Sequence, residues 1–395
     1  MKILALTNLY PNPCQPHRAM YNRQQFHALA TEHEVRVIAP IAWTGEWVAR
    51  RRSRTPLLAR NRTRLCDGMI IYHPRYLFTP KVLRGRYGQF LVRSIRNCFQ
   101  RVVSDFSPDV VLAGWAYPDG WAAVQLGREV NLPVVIKVHG SDLLTIENQP
   151  SRKARTIEAM QSADAVIAVS RNLADRAIGL GATAAHVVYN GVDTRVFRAG
   201  PRDVAQAKLG IDPSDPLILF VGNLVPVKGI DVLINAIRWL VDRGQEVQCA
   251  IVGAGPLKLE LQRQIDLLSL SNRVRLMGPR PLEELPLWYQ SSHLVVLPSR
   301  SEGIPNVLLE ASACGRPFVA SRVGGIPEIA PEESLVPPDN TLALAERIRV
   351  FLDSTRYPVA NIASSPGSWS DSARALASVL GNVVDASRSR SFRAG

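Results

Sequence analysis

Short β-branched runs alternate with amphipathic helical segments along most of the chain, and the alternation stops once and then restarts. Lys2–Thr7, Val35–Ala39, Met69–Tyr72, Val110–Ala113, Val134–Val138, Ala165–Val169 and His186–Tyr189 read as strands by their branched content and flanking turns. Helical stretches separate them, such as Tyr21–Ala30 and Arg86–Val103. In the latter, Tyr87, Phe90, Leu91, Ile95, Phe99 and Val102 recur at three- and four-residue spacings. After Phe197 the pattern dissolves into Pro- and Gly-containing sequence. It resumes at Leu217–Val221 and runs through Gln248–Val252, Val274–Met277, Leu294–Leu297 and Pro317–Ala320. Sustained strand–helix alternation implies a parallel, doubly wound sheet, and the restart implies a second one. The expected architecture is therefore α/β: two Rossmann-like domains facing a cleft, over residues 1–196 and 210–365. The Arg- and Ser-rich tail from Asp385 reads as frayed.

Composition removes other classes. At 395 residues the chain has room for two domains, and 46% hydrophobic with 21% charged residues excludes disorder. No apolar run approaches the roughly 18 residues of a spanning helix, and Ile3–Leu6 is too short for a signal-peptide core. Cys14, Cys66, Cys98, Cys249 and Cys314 are odd in number and lack CxxC spacing, which points to thiols in a reducing, cytoplasmic compartment. The net charge is +13, of which +12 lies between Trp43 and Ser104. Such a window, densest over residues 50–101, fits an anionic partner, either a membrane surface or a polyanion. A solvated basic face is the simpler reading. The window lacks the interleaved aromatics of a nucleic-acid module, so no nucleic acid is expected.

Four loops that follow strands carry the chemistry, because open α/β sheets bind ligands beyond the carboxyl ends of their strands. Ser299–Glu310 places Glu302 before a helix, Pro305 at its expected first position and Glu310 one to two turns inside. A helix start is an anion cradle suited to a pyrophosphate, and a carboxylate can accept two vicinal hydroxyls. In Val221–Gly229, Lys228 opens the helix from Ile230 and can reach the same phosphate. Gly253-Ala-Gly255 is a glycine turn with Lys258 where a dinucleotide fingerprint needs a third glycine. The fourth loop, Val138–Asp142, carries His139 and Asp142; Asp142 could equally cap the next helix. Trp115 and Trp121 read as core rather than as an acceptor platform, and Asn190 as a turn former.

Together these loops resemble the retaining glycosyltransferases of family 4 (GT4), which have the GT-B fold. Glu302 and Glu310 match that family's E-x7-E motif, and Gly303-Ile304-Pro305-Asn306 its interior. Tyr117–Gly120, Val138–Asp142 and Tyr189–Asp193 are similar to the bacterial members that build cell-surface polysaccharides. The resemblance implies a metal-independent hexosyltransferase using a nucleotide-diphosphate sugar and a glycan or lipid-linked acceptor, with no separate cofactor. It implies that Glu310 holds the ribose, Glu302 the donor sugar, and Gly303 to Asn306 the sugar and phosphate. By the same resemblance Lys228 would neutralise the diphosphate, His139 would sit at the donor sugar, Met277 to Arg280 would line the base, and Leu309 would belong to the donor-binding set. Retention is usually attributed to front-face attack, with the leaving phosphate taking the acceptor's proton. A covalent glycosyl-enzyme would need a carboxylate nucleophile that the sequence does not single out.

Two positions depart from the family. Asn223 stands where Arg is frequent, and His17-Arg-Ala19-Met-Tyr21 puts Ala19 at a usual glycine, so a contact of Ala19 with donor or acceptor rests on a changed residue. The last helix, about 369–382, resembles the segment that crosses back to the first domain, with a hinge near 196–216. The basic window suggests a peripheral position at the inner face of the cell membrane, with Arg86–Arg101 as a docking helix or an ordinary surface one. Two alternatives stay open: a nucleotide-sugar epimerase of the same fold, and a basic polyanion- or membrane-binding protein.

Overall fold

The computed structural model describes residues 1–16, 18–53, 62–146, 149–353 and 367–394. His17, residues 54–61 of the basic window and the end of the expected second domain at 354–365 lie outside them. The chain forms two compact units, one of residues 1–190 with 369–395, the other of 191–368.

The first unit contains β1 (Lys2–Leu6), β2 (Glu34–Ile38), β3 (Ile41–Ala42), β4 (Thr63–Cys66), β5 (Met69–Tyr72), β6 (Arg75–Tyr76), β7 (Val110–Ala113), β8 (Val134–Val138), β9 (Ala165–Ala168) and β10 (Ala185–Val187). Its main sheet has the order β10-β9-β8-β7-β1-β2-β5-β4, parallel except where β4 pairs with β5; β3 and β6 form a separate parallel pair. The central strands are buried end to end, which explains their uninterrupted apolar runs. The second unit contains β11 (Leu217–Val221), β12 (Gln248–Val252), β13 (Val274–Gly278), β14 (Leu294–Leu297), β15 (Phe318–Ser321) and β16 (Leu335–Val336), in the order β13-β12-β11-β14-β15-β16, all parallel.

Several expectations need correction. The stretch read as a hinge carries a helix, Arg202–Leu209, packed on Leu285–Ser291 of the second unit, where Gln206 donates to the Ser291 carbonyl at 3.2 Å. The tail is not frayed: one helix runs Trp369–Ala394. Trp369, Ala373, Leu376, Leu380, Val383 and Val384 make a helical stripe buried in the first unit's core, each large apolar side chain contributing about 1.5–3 kcal/mol. Beyond the stripe, Arg388 pairs with Asp109 at 2.7 Å and Arg390 with Asp164 at 2.9 Å, so the cations that suggested fraying dock the last turns.

The helix in the basic window, Tyr87–Phe106, turns its apolar stripe inward. Leu91, Ile95, Phe99 and Val102 are buried in the unit, while Arg93 and Arg96 face outward, Arg96 paired with Glu129. Its apolar stripe is thus already used in packing. Elsewhere in the window, buried Glu46 is clamped by Arg62 at 2.8 Å and Arg75 at 2.6 Å. No helix among the described residues is long and apolar enough to cross a membrane.

Candidate active site

Strand order in the second sheet reverses direction between β11 and β14, so the loops following those two strands flank its switch point. The β11 loop ends in a short turn, Pro226–Lys228, closed by Gly229 at φ 62°. A side chain at Gly229 would overlap the Pro298 carbonyl at the end of β14, so glycine lets the two loops touch. The Arg300 N–H donates to the Val227 carbonyl at 2.8 Å, and the Arg300 guanidinium grips Asp231 and Asp339, both at 2.7 Å. The site is stitched together before any ligand is considered.

On this frame Lys228 Nζ donates to Glu302 Oε1 at 2.6 Å, and the hydroxyl of buried Ser299 donates to the same oxygen at 2.6 Å. Pro305 precedes rather than starts the next helix, Asn306–Ala313, because its ψ of 118° is still extended. Glu310 lies in that helix and accepts the Tyr289 hydroxyl at 2.7 Å. Burial pushes the Glu310 carboxyl up to about 7, against the lowering effect of this hydrogen bond. Tyr289 is fully buried and held well above its ordinary range, so its proton stays in place to donate. Gly303 and Ile304 are buried, Asn306 is half-buried, and Leu309 is buried beside Glu310 in the helix as apolar packing. Asn223 is exposed at the mouth of the β11 loop. Met277 is half-buried at the end of β13, its carbonyl accepting from Arg280 at 3.1 Å.

The remaining residues belong to the first unit. His139 follows β8, with its ring 4.7 Å from Tyr21 and 6.2 Å from Trp115. Burial and the Lys137 charge hold its pKa well below the usual value, so the imidazole is neutral, and its buried Nε2 has no hydrogen-bond partner among the described residues. Asp142 is buried and accepts from the backbone N–H groups of Gly140 (2.8 Å) and His139 (3.1 Å); it shapes the loop under His139. Burial pushes its carboxyl up to about 6. Ala19 caps the helix Met20–Ala30 at φ 48°, a left-handed conformation that favours glycine. Asn190 is buried and accepts from Lys137 at 3.3 Å. Trp121 is core, but Trp115 lines a cavity. Sequence reading missed Ser299, Arg300 and Tyr289.

The chain matches two family profiles: "Glycosyltransferase Family 4" over residues 19–196 and "Glycosyl transferases group 1" over 215–354. It is 30% identical to a D-inositol 3-phosphate glycosyltransferase of Catenulispora acidiphila, over 82% of this chain and 84% of that one. It is 28% identical to TuaC of Bacillus subtilis, named as a teichuronic acid biosynthesis glycosyltransferase, over 90% and 89%. Among solved structures it is similar to Alr3699/HepE of Anabaena in complex with UDP and glucose, with TM-score 0.73 and 21% identity over 97% of this chain and all of that one.

Proposed function

The chain belongs to the family 4 glycosyltransferases, with the GT-B fold, and from that premise we propose that its second unit holds a nucleoside-diphosphate sugar as donor. The observation that carries this reading is the joining of Lys228 and Glu302 beyond β11 and β14, with Glu310 in the helix that follows. A diphosphate competes with Glu302 for the Lys228 ammonium. Once Lys228 turns to phosphate, Glu302 is released to accept donor-sugar hydroxyls, and Glu310 uses its oxygens for the ribose diol. Alr3699/HepE, a structure of similar fold held with UDP and glucose, supports a nucleotide donor.

The reaction we propose retains anomeric configuration. The anomeric carbon–oxygen bond to the diphosphate breaks as the acceptor oxygen bonds on the same face, and the acceptor proton passes to the leaving phosphate oxygen. Lys228 carries the charge that develops on that phosphate, with no metal and no separate cofactor. Neutral His139 is suited to a sugar hydroxyl rather than to phosphate charge. The acceptor is a glycan or lipid-linked saccharide in surface-polysaccharide synthesis, and the TuaC name supports a biosynthetic role. Slow hydrolysis of UDP-, GDP- and ADP-sugars, followed by NMR with and without chelator, tests the reaction. One donor should release sugar of its own anomeric configuration at an unchanged rate with chelator. An inverted product, loss of rate with chelator, or no release from any donor contradicts it.

A cytoplasmic position at the inner membrane face completes the proposal. Trp43, Trp47, Leu77, Val82 and Leu83 are exposed in the same stretch as exposed Arg50, Arg51, Lys81 and Arg84, and Arg51 stacks 3.8 Å over Trp47. Basic and aromatic side chains together suit an anionic bilayer surface. Salt-sensitive flotation with anionic vesicles is expected; absence of flotation contradicts it.

A further inference from the structure

The amino edge of the second sheet, opposite the loops that carry Lys228 and Glu302, gathers two arginines and a histidine that the donor reading does not use. Arg202 opens the helix Arg202–Leu209, His293 immediately precedes β14, and Arg316 stands two residues before β15. They are neighbours in space: the charges of Arg202 and Arg316 both act on His293, and that of Arg202 acts on Arg316. Two hydrogen bonds fix the arrangement. Arg316 Nη2 donates to the Gly200 carbonyl at 2.7 Å, and the Leu217 N–H at the start of β11 donates to His293 Nδ1 at 3.0 Å. Burial and the two arginine charges hold the imidazole down to about 4. It is therefore neutral, and with Nδ1 accepting, its hydrogen lies on Nε2.

The cluster has no counter-charge. No carboxylate acts on Arg202, Arg316 or His293, and neither arginine forms an ion pair among the described residues. The Cys314 thiol, which does act on Arg316, is pushed up to about 12, chiefly by burial, and stays protonated. Asp203, beside Arg202 in sequence, is exposed, and Asp215, close to Leu217, is paired with Arg273. Residues 354–366 of this unit lie outside the described ones and contain no aspartate or glutamate. Arg316 is 8% exposed, and its Nε, like that of Arg202, is buried without a partner. The Gly200 contact is the side-chain hydrogen bond of Arg316, and Arg202 makes none among the described residues. Arg202 and His293 are half-buried, so the cluster has an open side.

Sheltered guanidinium groups without a carboxylate are complementary to an oxyanion, which each can meet with parallel N–H donors, and the imidazole adds one N–H. A phosphate has three or more oxygens to share among three side chains, where a carboxylate has two. We propose that Arg202, His293 and Arg316 form a second anion site, which binds a phosphate group carried by a small soluble molecule or by a lipid headgroup. The proposal does not depend on the transferase reading.

The test is titration of the full chain with inorganic phosphate, followed by NMR of the histidine rings, with the His293 signals identified by their loss in His293→Gln. Those signals should move saturably in wild type. Arg202→Gln should weaken the response at least about ten-fold, and Arg202→Lys should recover part of it, separating lost charge from misfolding. The response should persist in Lys228→Gln; its loss there would assign the phosphate to the loops after β11 and β14 and overturn the proposal. Flotation with phosphatidic acid vesicles distinguishes the two sources. Weaker flotation of Arg202→Gln than of wild type assigns a lipid headgroup, and equal flotation a soluble phosphate. No saturable movement of the His293 signals, or a response of equal strength in Arg202→Gln, overturns the proposal and leaves the donor reading standing.

Discussion

Glu310 shows how one residue's surroundings set its chemistry. Its carboxyl is raised to about 7 by burial, so the folded protein holds a proton there that the unfolded chain releases near 4.5. The unliganded fold thus loses stability as pH rises from about 4.5 to 7, and stays lower above that. Glu310→Gln is expected to melt higher than wild type at pH 8, by on the order of 1–3 kcal/mol, with the gain vanishing near pH 4. Binding runs the opposite way, because the ribose diol needs an ionised acceptor: nucleotide affinity should rise through pH 7 in wild type and stay flat in the variant. A flat wild-type profile contradicts the assignment. Ala19 is a second case, since its left-handed backbone was foreshadowed by the family's usual glycine. Ala19→Gly is expected to stabilise by about 0.5–1 kcal/mol in thermal melts, and a lower melting temperature would show that the strain is not released.

At the scale of elements, strands and their following loops were legible because a buried parallel strand writes a β-branched run and its exit writes Gly, Pro or a polar residue. The loop stitching was not. Arg300 finds Asp231 from 69 positions away and Tyr289 finds Glu310 from 21, and neither separation leaves a periodic trace. Strand β4 escaped notice because Thr-Arg-Leu-Cys is an exposed edge without apolar alternation. Gly229→Ala tests the stitching. The added methyl must push against the Pro298 carbonyl in a left-handed backbone, so a loss of about 1–3 kcal/mol is expected, with nucleotide affinity down about ten-fold. Wild-type melting and affinity would show that Lys228 does not depend on this contact.

Across the whole molecule, the two sheets were readable from the interruption in the alternation, and the loops after β11 and β14 from their match to a family motif. The helical tail was not, since Arg388 and Arg390 are docked by Asp109 and Asp164, partners 279 and 226 positions away. The cavity was equally hidden: its wall draws on segments from Asn8 to Arg152, and Trp115 read as core. The glycosyltransferase assignment replaces the epimerase and the simple polyanion binder that sequence alone left open.

The proposed nucleoside-diphosphate site of the second unit stands on Lys228, Glu302 and Glu310. Calorimetric titration of UDP, GDP and ADP into wild type and Glu310→Ala, in chelator without magnesium, tests it most directly. One nucleotide should bind wild type selectively, and Glu310→Ala should lose at least about ten-fold in affinity, the scale of two charge-assisted hydrogen bonds. Folded wild type that binds none of the three, or a variant that binds as well as wild type, would contradict it.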